Sequence, residues 1–318
     1  MMIDICFASD DAYAPFMGVA IQSVLAHAAP QDFMRLHILD NGISALNKQR
    51  IAALRGRYPA FSAAYYPVDA ALLEGLPVVN SHLSRTAYAR LFAGRLLPRF
   101  VRRVIYLDCD VFVRAPLTAL ARLDLGRALA GGVADLGVME KARAGLHPWP
   151  YDKQTYINSG VLLIDLARWR AEEAEQKLIA YMRAPEYALQ YEDQDVLNFA
   201  LRGRIKTLSP RWNGQMFWGC RAWNRHPDIG RLRRVLLTCP VVHFASPAKP
   251  WFAKSGWHKN SKEYRRMMEK SPWAGNMQPV GAAEVLGRLF RYLKIHPLCW
   301  LKPGFYQNLY WEGICALR

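Results

Sequence analysis

The chain opens on a short run of β-forming residues, Ile3 to Ala8, interrupted only by Asp4, which predicts a buried strand. From Tyr13 to His27 the period changes, and Phe16, Val19, Ala20, Val24 and Leu25 fall at helical spacing. Arg35 to Leu39 predicts a second strand, Ser44 to Arg57 a helix with Ser44 as its N-cap, and Ala63 to Val68 a third strand. Thr86 to Leu97 is helical up to Pro98, and Val101 to Leu107 is a fourth strand that ends on acids. Further on, Asn158-Ser159-Gly160 precedes an apolar run, Val161 to Ile164, followed by a helix from Leu166 to Tyr181; Val241 to Phe244 is a late strand carrying His243. Alternation of this kind predicts the α/β class, with a mostly parallel sheet flanked by helices on both faces. Ligands of such sheets bind beyond the carboxyl ends of the strands. Asp10 and Asp11, after the first strand, and Asp108 and Asp110, after the fourth, should therefore share one crevice.

The pattern changes after Trp251. Glu263 to Lys270 predicts a short helix, Ser271-Pro272-Trp273-Ala274-Gly275 a break, and Glu284 to Ile295 an amphipathic helix with Val285, Leu286, Leu289, Phe290 and Leu293 on one side. We therefore expect a domain over residues 1–252 and a small helical extension over 253–318. Charge sharpens that division. The net charge of +16 asks for an acidic partner. Residues 251–318 hold 11 Lys+Arg against 4 Asp+Glu, interleaved with Trp257, Trp273, Trp300, Tyr306 and Trp311 among other aromatics. A basic, aromatic surface of this sort suits an anionic lipid interface, and we favour that over simple packing onto the first domain. Nucleic acid is the alternative acidic partner, but no reader motif accompanies the charge. Acids follow Met1-Met2-Ile3 at once and no run of eighteen apolar residues occurs, so neither a secretory leader nor a membrane span is expected. The six cysteines form no C-x-x-C pair, which predicts reduced, buried thiols in a cytoplasmic protein.

Candidate chemistry centres on Val104-Ile105-Tyr106-Leu107-Asp108-Cys109-Asp110. Two carboxylates one residue apart, where a strand turns, can converge on a hard divalent cation. Haloacid-dehalogenase-type phosphatases also place D-x-D behind an apolar strand, but at the first strand of the domain rather than the fourth, and Phe112 stands where they carry Thr or Val. A histidine at a strand end, His243, can add a third ligand, and Lys249, in a proline-braced loop, can offer a point charge to a phosphate.

Five ordered segments then carry a resemblance: Phe7-Ala8-Ser9-Asp10-Asp11-x-Tyr13, the D-C-D segment, Asn158-Ser159-Gly160 with Val161 to Leu166, Asp193-Gln194-Asp195-Val196-Leu197-Asn198, and His243 with Lys249-Pro250-Trp251. Together, over residues 3 to 252, they resemble glycosyltransferase family 8, the lipopolysaccharide galactosyl- and glucosyltransferases and their glycogenin-like relatives. The Ser271-Pro272-Trp273 tail is similar to the extension of the lipopolysaccharide-core members. The resemblance implies a Rossmann-like nucleotide-sugar-binding domain of glycosyltransferase A type, with a mixed, mostly parallel sheet flanked by helices. It also implies retaining transfer of galactose or glucose from a UDP-hexose to a glycolipid or oligosaccharide acceptor, with Mn2+ (Mg2+ as the alternative), on the inner face of the cell membrane. Carried over by position, Asp108, Asp110 and His243 would hold the metal and Lys249, with Ser246 beside it, the diphosphate. Ala8, Asp10 and Tyr13 would hold uridine. Arg90, Asp108, Asn158, Gly160, Asp193 and Gln194 would line the sugar pocket, with Asp135 a further acceptor. Two positions depart from the family pattern: Ala12 replaces a frequent Asn near the ribose, and Ser246-Pro247 replaces a frequent Gly at the phosphates. Asp193 and Gln194 are the catalytic candidates. Retention proceeds through a covalent glycosyl-enzyme or by front-face return. Gln194 is neutral and a poor nucleophile and Asp193 a chemically better one, and we favour the front-face route, with both residues organising the sugar. A sugar-binding relative without activity is the remaining alternative, and the intact Asp108, Asp110 and His243 speak against it.

Overall fold

The computed structural model describes residues 1–74, 76, 85–150, 154–216, 228–246, 249–252 and 259–277. Its strands are β1 (Met2–Ser9), β2 (Phe33–Asp40), β3 (Phe61–Pro67), β4 (Val104–Leu107), β5 (Val111–Val113), β6 (Ala130–Ala134), β7 (Ile157–Ile164), β8 (Ile205–Thr207), β9 (Gly214–Gln215) and β10 (Val241–His243). Seven form one sheet in the order β3-β2-β1-β4-β7-β6-β8, and β5, β10 and β9 form a small second sheet. In the large sheet only β7 runs against the others. The mixed, mostly parallel sheet expected from the sequence is present.

Period-two alternation feeds two cores. Ile3, Ile5 and Phe7 of β1, with Ile105 and Leu107 of β4, enter the core shared with the helix Ala14–Ala26. Cys6 and Ala8, with Val104 and Tyr106, enter the core on the other face, beneath the helices Leu166–Ala171, Ala174–Arg183 and Glu192–Ala200. Both faces are therefore apolar and covered, as parallel sheets require. Ser44 caps the helix Ala45–Ala53 by accepting from the Asn47 N–H at 3.3 Å. Two expected helices differ in detail. The stretch Arg85–Phe92 winds as 3-10 helix before Ala93–Leu96, and the helix predicted from Leu166 to Tyr181 is broken in two where Glu173 takes a left-handed φ of 52°.

The reversal of β7 matters most for the site. Asn158, Ser159 and Gly160 lie inside β7 rather than ahead of it. Because the strand is antiparallel to β4, its beginning reaches the edge where β1 and β4 end, with Leu107 opposite Val161. The three residues thus arrive beside Asp108.

The chain beyond residue 252 contributes to the same core over its described part. The helix Lys259–Glu269 buries Asn260, Ser261, Tyr264, Arg265 and Met268, one face at helical spacing, and Tyr264 and Met268 join the core beside Ala14–Ala26. Trp273 lies flat over Gly18, where an added Cβ would come within 2.3 Å of the indole. Its Nε1–H donates to Asn47 Oδ1 at 2.8 Å. Residues 278–318, with the expected helix Glu284 to Ile295, lie outside the described residues, as do Cys220, Cys299 and Cys315. Cys6, Cys109 and Cys239 are free and buried, as thiols acting as small hydrophobes should be. Among the described residues no helix is long and apolar enough to cross a membrane.

Candidate active site

The chain turns sharply after β4, and β5 leaves it into the second sheet. β10 pairs antiparallel with β5, setting His243 opposite Val111 and therefore beside Asp110. Two elements more than a hundred residues apart thus deliver three ligand atoms, from Asp108, Asp110 and His243, that lie within 4.8 Å of one another. His243 Nε2 stands 3.2 Å from Asp110 Oδ1 and 3.7 Å from Asp108 Oδ2. Gly160 makes the closeness possible: a Cβ there would sit 2.2 Å from His243 Cε1 and 2.5 Å from Asp108 Oδ2. Only glycine fits.

Lys249 closes the other side, donating to Asp110 Oδ2 at 2.5 Å and to the Phe244 carbonyl at 2.8 Å. Burial opposes the Lys249 charge, but the adjacent Asp110 carboxylate outweighs it and holds the ammonium above its ordinary pKa. Burial likewise opposes ionisation of Asp110, and Lys249 foremost holds that carboxyl well below the usual range. The second oxygen, Asp110 Oδ1, is buried and accepts no hydrogen bond among the described residues. Its polar neighbour is His243 Nε2, 3.2 Å away. Facing an imidazole nitrogen and a second carboxylate, it fits a divalent cation bound by two oxygens and one nitrogen.

The adjoining pocket is polar and closely knit. Arg90 is buried, and its guanidinium meets Asp108 Oδ1 at 2.9 Å and Asp193 Oδ2 at 3.1 Å while donating to the Ser159 carbonyl at 2.8 Å. It lies 4.6 Å over the Tyr106 ring, whose hydroxyl donates to Asp108 Oδ1 at 3.1 Å. Burial would weaken the Arg90 charge; the carboxylates of Asp108 and Asp193 reverse that and raise its pKa. Burial pushes the Asp193 carboxyl up to about 6, against the pull of Arg90 and with the repulsion of Asp108. Gln194 Oε1 accepts from Asn158 Nδ2 at 3.0 Å and from the Ser159 N–H at 3.1 Å, while its Nε2 donates to Asp135 Oδ2 at 3.2 Å. The helix bearing Asp193 and Gln194 starts from Glu192 in a left-handed conformation, φ 46°. Asp195 holds that entry by accepting from the N–H groups of Gln190 and Tyr191 at 2.6 and 2.8 Å and from the Tyr156 hydroxyl at 2.5 Å.

The residues expected around uridine lie at the neighbouring strand end. The Ala8 carbonyl accepts from Cys109 Sγ at 3.2 Å, which joins β1 to the D-x-D turn. Asp10 Oδ1 accepts from the Tyr13 N–H at 3.0 Å at the start of Ala14–Ala26. Tyr13 is half-buried, edge-on to Phe16 and Trp251 at centroid distances of 5.6 and 6.1 Å. Asp11 points elsewhere. Its Oδ1 accepts from the Ser44 N–H at 2.8 Å and from Asn47 Nδ2 at 2.7 Å, so the crevice expected to hold both acids receives Asp10 alone. Ser246 Oγ is buried without a partner among the described residues; Pro247 lies outside them.

Sequence reasoning missed three contributors. Asn213, fully buried, places Oδ1 3.0 Å from His243 Nδ1. Ser159 Oγ donates to Asp193 Oδ2 at 3.1 Å, and Tyr106 supports Arg90. Tyr106 was open to discovery, since residues two apart on a strand share a face and it precedes Asp108 by two. Asn213, in a loop with no periodic pattern, carried no such signal.

The family model described as Glycosyl transferase family 8 matches residues 4–255. Lipopolysaccharide 1,2-glucosyltransferase of Escherichia coli (strain K12) is 26% identical over 318 residues, covering 99% of this chain and 88% of that protein. Lipopolysaccharide 1,3-galactosyltransferase of Salmonella typhimurium (strain LT2) is 26% identical over 275 residues, covering 85% and 79%. The crystal structure of the galactosyltransferase LgtC with donor and acceptor sugar analogs superposes with a TM-score of 0.70 at 31% identity, covering 86% of this chain and 100% of that one.

Proposed function

This chain belongs to glycosyltransferase family 8 and is a glycosyltransferase, and from that premise we propose that it transfers galactose or glucose from a UDP-hexose to a lipopolysaccharide or related surface-glycan acceptor, retaining the anomeric configuration and using Mn2+. Its domain has the glycosyltransferase A arrangement, and family membership sets aside the phosphatase and nucleic-acid readings of the same residues. The observation that carries the finer reading is the convergence of Asp108, Asp110 and His243 beside a buried lysine, with Asp110 Oδ1 accepting no hydrogen bond among the described residues.

In this reading Asp108, Asp110 and His243 hold the cation. When bound, it supplies positive charge to the departing nucleoside diphosphate. Lys249 spends two N–H groups on Asp110 and Phe244 and directs the third at a phosphate oxygen. Ala8, Asp10 and Tyr13 seat the uridine, and Ser246 Oγ offers a donor to the diphosphate. Arg90, Asn158, Gly160, Asp193, Gln194 and Asp135 position the hexose. Retention then follows a front-face course. The bond from the anomeric carbon to the phosphate oxygen breaks as the acceptor oxygen bonds to the same face, and the departing phosphate oxygen takes the acceptor's proton. Gln194 Oε1 already accepts two hydrogen bonds, and Asp193 Oδ2 is held by Arg90 and Ser159, which favours positioning over attack for both.

We assign the basic, aromatic residues beyond 277 to binding an anionic membrane surface that carries the acceptor. Deleting residues 282–318 should leave donor hydrolysis intact and reduce binding to anionic liposomes; unchanged liposome binding refutes the assignment. The central test is UDP release from a panel of nucleotide-sugars with and without Mn2+. A UDP-hexose should be cleaved faster with the cation, and failure to cleave any donor in a cation-dependent manner removes the reading.

A further inference from the structure

Asn158 and Asn213 link the sugar pocket to the metal corner, and their hydrogen bonds run in one direction. A backbone N–H only donates and a carboxylate only accepts. Both kinds of group fix the Asn158 amide. Its Oδ1 accepts from the Gly160 N–H at 3.1 Å, and its Nδ2 donates to Asp135 Oδ2 at 3.2 Å. The oriented Oδ1 also meets Asn213 at 2.9 Å, a contact that holds only if Asn213 presents Nδ2. Asn213 Oδ1 must then face His243 Nδ1, 3.0 Å away, so that nitrogen carries the imidazole hydrogen. Nε2 is left with its lone pair, 3.2 Å from Asp110 Oδ1 and 3.7 Å from Asp108 Oδ2.

The other tautomer would close the site. With hydrogen on Nε2, His243 would turn an N–H toward Asp110 Oδ1 and Asp108 Oδ2, 3.2 and 3.7 Å away, and occupy the corner where the cation is to bind. Resting on the proposed role of Asp108, Asp110 and His243 as metal ligands, we infer that Asn158 and Asn213 are positioning residues. Of the two neutral tautomers, they select the one whose Nε2 is free to accept a cation. The sugar pocket and the metal corner are then one hydrogen-bonded unit, and damage to a sugar-pocket amide weakens cation binding before any sugar is present.

The test is Mn2+ binding to the full chain without donor, followed by electron paramagnetic resonance, with the ring nitrogens of His243 read by 15N NMR in cation-free protein. Removing a partner of this kind costs roughly ten- to a hundredfold in metal affinity, and Asn213→Leu should lose that much. Asn213→Asp keeps an acceptor for Nδ1–H but sets an oxygen against Asn158 Oδ1, so it should keep hydrogen on Nδ1 and lose less Mn2+ affinity than Asn213→Leu. Asn158→Leu touches no ligand and should weaken Mn2+ by several-fold. Wild-type His243 should show hydrogen on Nδ1, and Asn213→Leu should shift it to Nε2. Equal Mn2+ affinity in folded wild type and Asn213→Leu overturns the inference while leaving the metal site standing. Should Asn213→Leu not fold, hydrogen on Nε2 of wild-type His243, or unaltered binding by Asn158→Leu, overturns it instead. A wild-type chain that binds no Mn2+ removes the metal reading itself.

Discussion

In the pocket around Asn158 the amide uses both hydrogens and both lone pairs, on Asp135, Gln194, Gly160 and Asn213, whereas Asp110 Oδ1, buried in the metal corner, accepts no hydrogen bond among the described residues. Both regions are dry and polar, so the contrast is not one of solvent. The first is complete before any ligand arrives, and can hold sugar hydroxyls without reorganising. The second pairs its carboxylates with Lys249 and Arg90, yet leaves Asp110 Oδ1 facing His243 Nε2 without a hydrogen bond among the described residues. Such an oxygen persists where a ligand supplies the compensation. Two kinds of preparation thus share one cleft: a rigid frame for the sugar and an open coordinating corner for the cation.

Removing the open carboxylate is the most damaging way to break this contrast. Asp110→Asn deletes the counter-charge of Lys249 and a proposed ligand together. Loss of one group aimed at developing charge commonly costs 10²–10³-fold, and with Lys249 also deprived of its partner we expect about 10³-fold slower transfer. The fold should suffer as well: a thermal melt without cation should fall below wild type, because Lys249 is left as a buried charge without its counter-ion. A variant that keeps cation-dependent UDP release would dissolve the distinction between the corners.

Gly160→Ala strikes the boundary between them. A methyl group would overlap His243 and Asp108, and neither is the far end of a flexible chain, so the ligands must separate. We expect transfer to fall about 10²-fold, the scale of an ångström's misplacement. Mn2+ affinity, measured alongside, should drop as well. Lost activity with unchanged Mn2+ affinity would assign Gly160 to the sugar alone.

The two corners also differ in how far the sequence disclosed them. The D-x-D turn, the late histidine and Lys249 were legible because chemistry of that kind sits at strand ends, and strands announce themselves by apolar runs. That His243 would reach Asp110 was not legible from periodicity, since it depends on β10 pairing with β5 in a separate small sheet. The orientation of Asn158 depends on the one reversed strand, and strand direction leaves no trace in composition. Asp11 shows the opposite failure. It stood where a ligand-binding acid was expected, and local chain geometry turned it to the N–H of Ser44 and to Asn47. Trp273 is similar: its sequence neighbourhood suggested a departing tail, yet the space over Gly18 draws it into the core.

Asp193 offers the finest discrimination, because its effects on rate and on stability have opposite signs. Its carboxyl sits at about 6 in the fold against an ordinary 3.8. The stabilising contribution is therefore fully present below pH 3.8 and is lost as pH rises through about 6, where the buried group must ionise. A gap of about two pH units corresponds to at most about 3 kcal/mol. Asp193→Asn should slow transfer about 10²-fold by releasing Arg90 and Ser159 from the sugar side, while raising the melting temperature at pH 7.5. Near pH 4.5, where wild-type Asp193 is mostly protonated, the stability advantage should shrink. Activity of wild type should fall below about pH 6, and a cation on Asp108 should move that limb lower by removing a repelling charge. A variant less stable than wild type at pH 7.5 would mean that Asp193 is a structural counter-ion for Arg90 and not a charge held in place for the donor sugar.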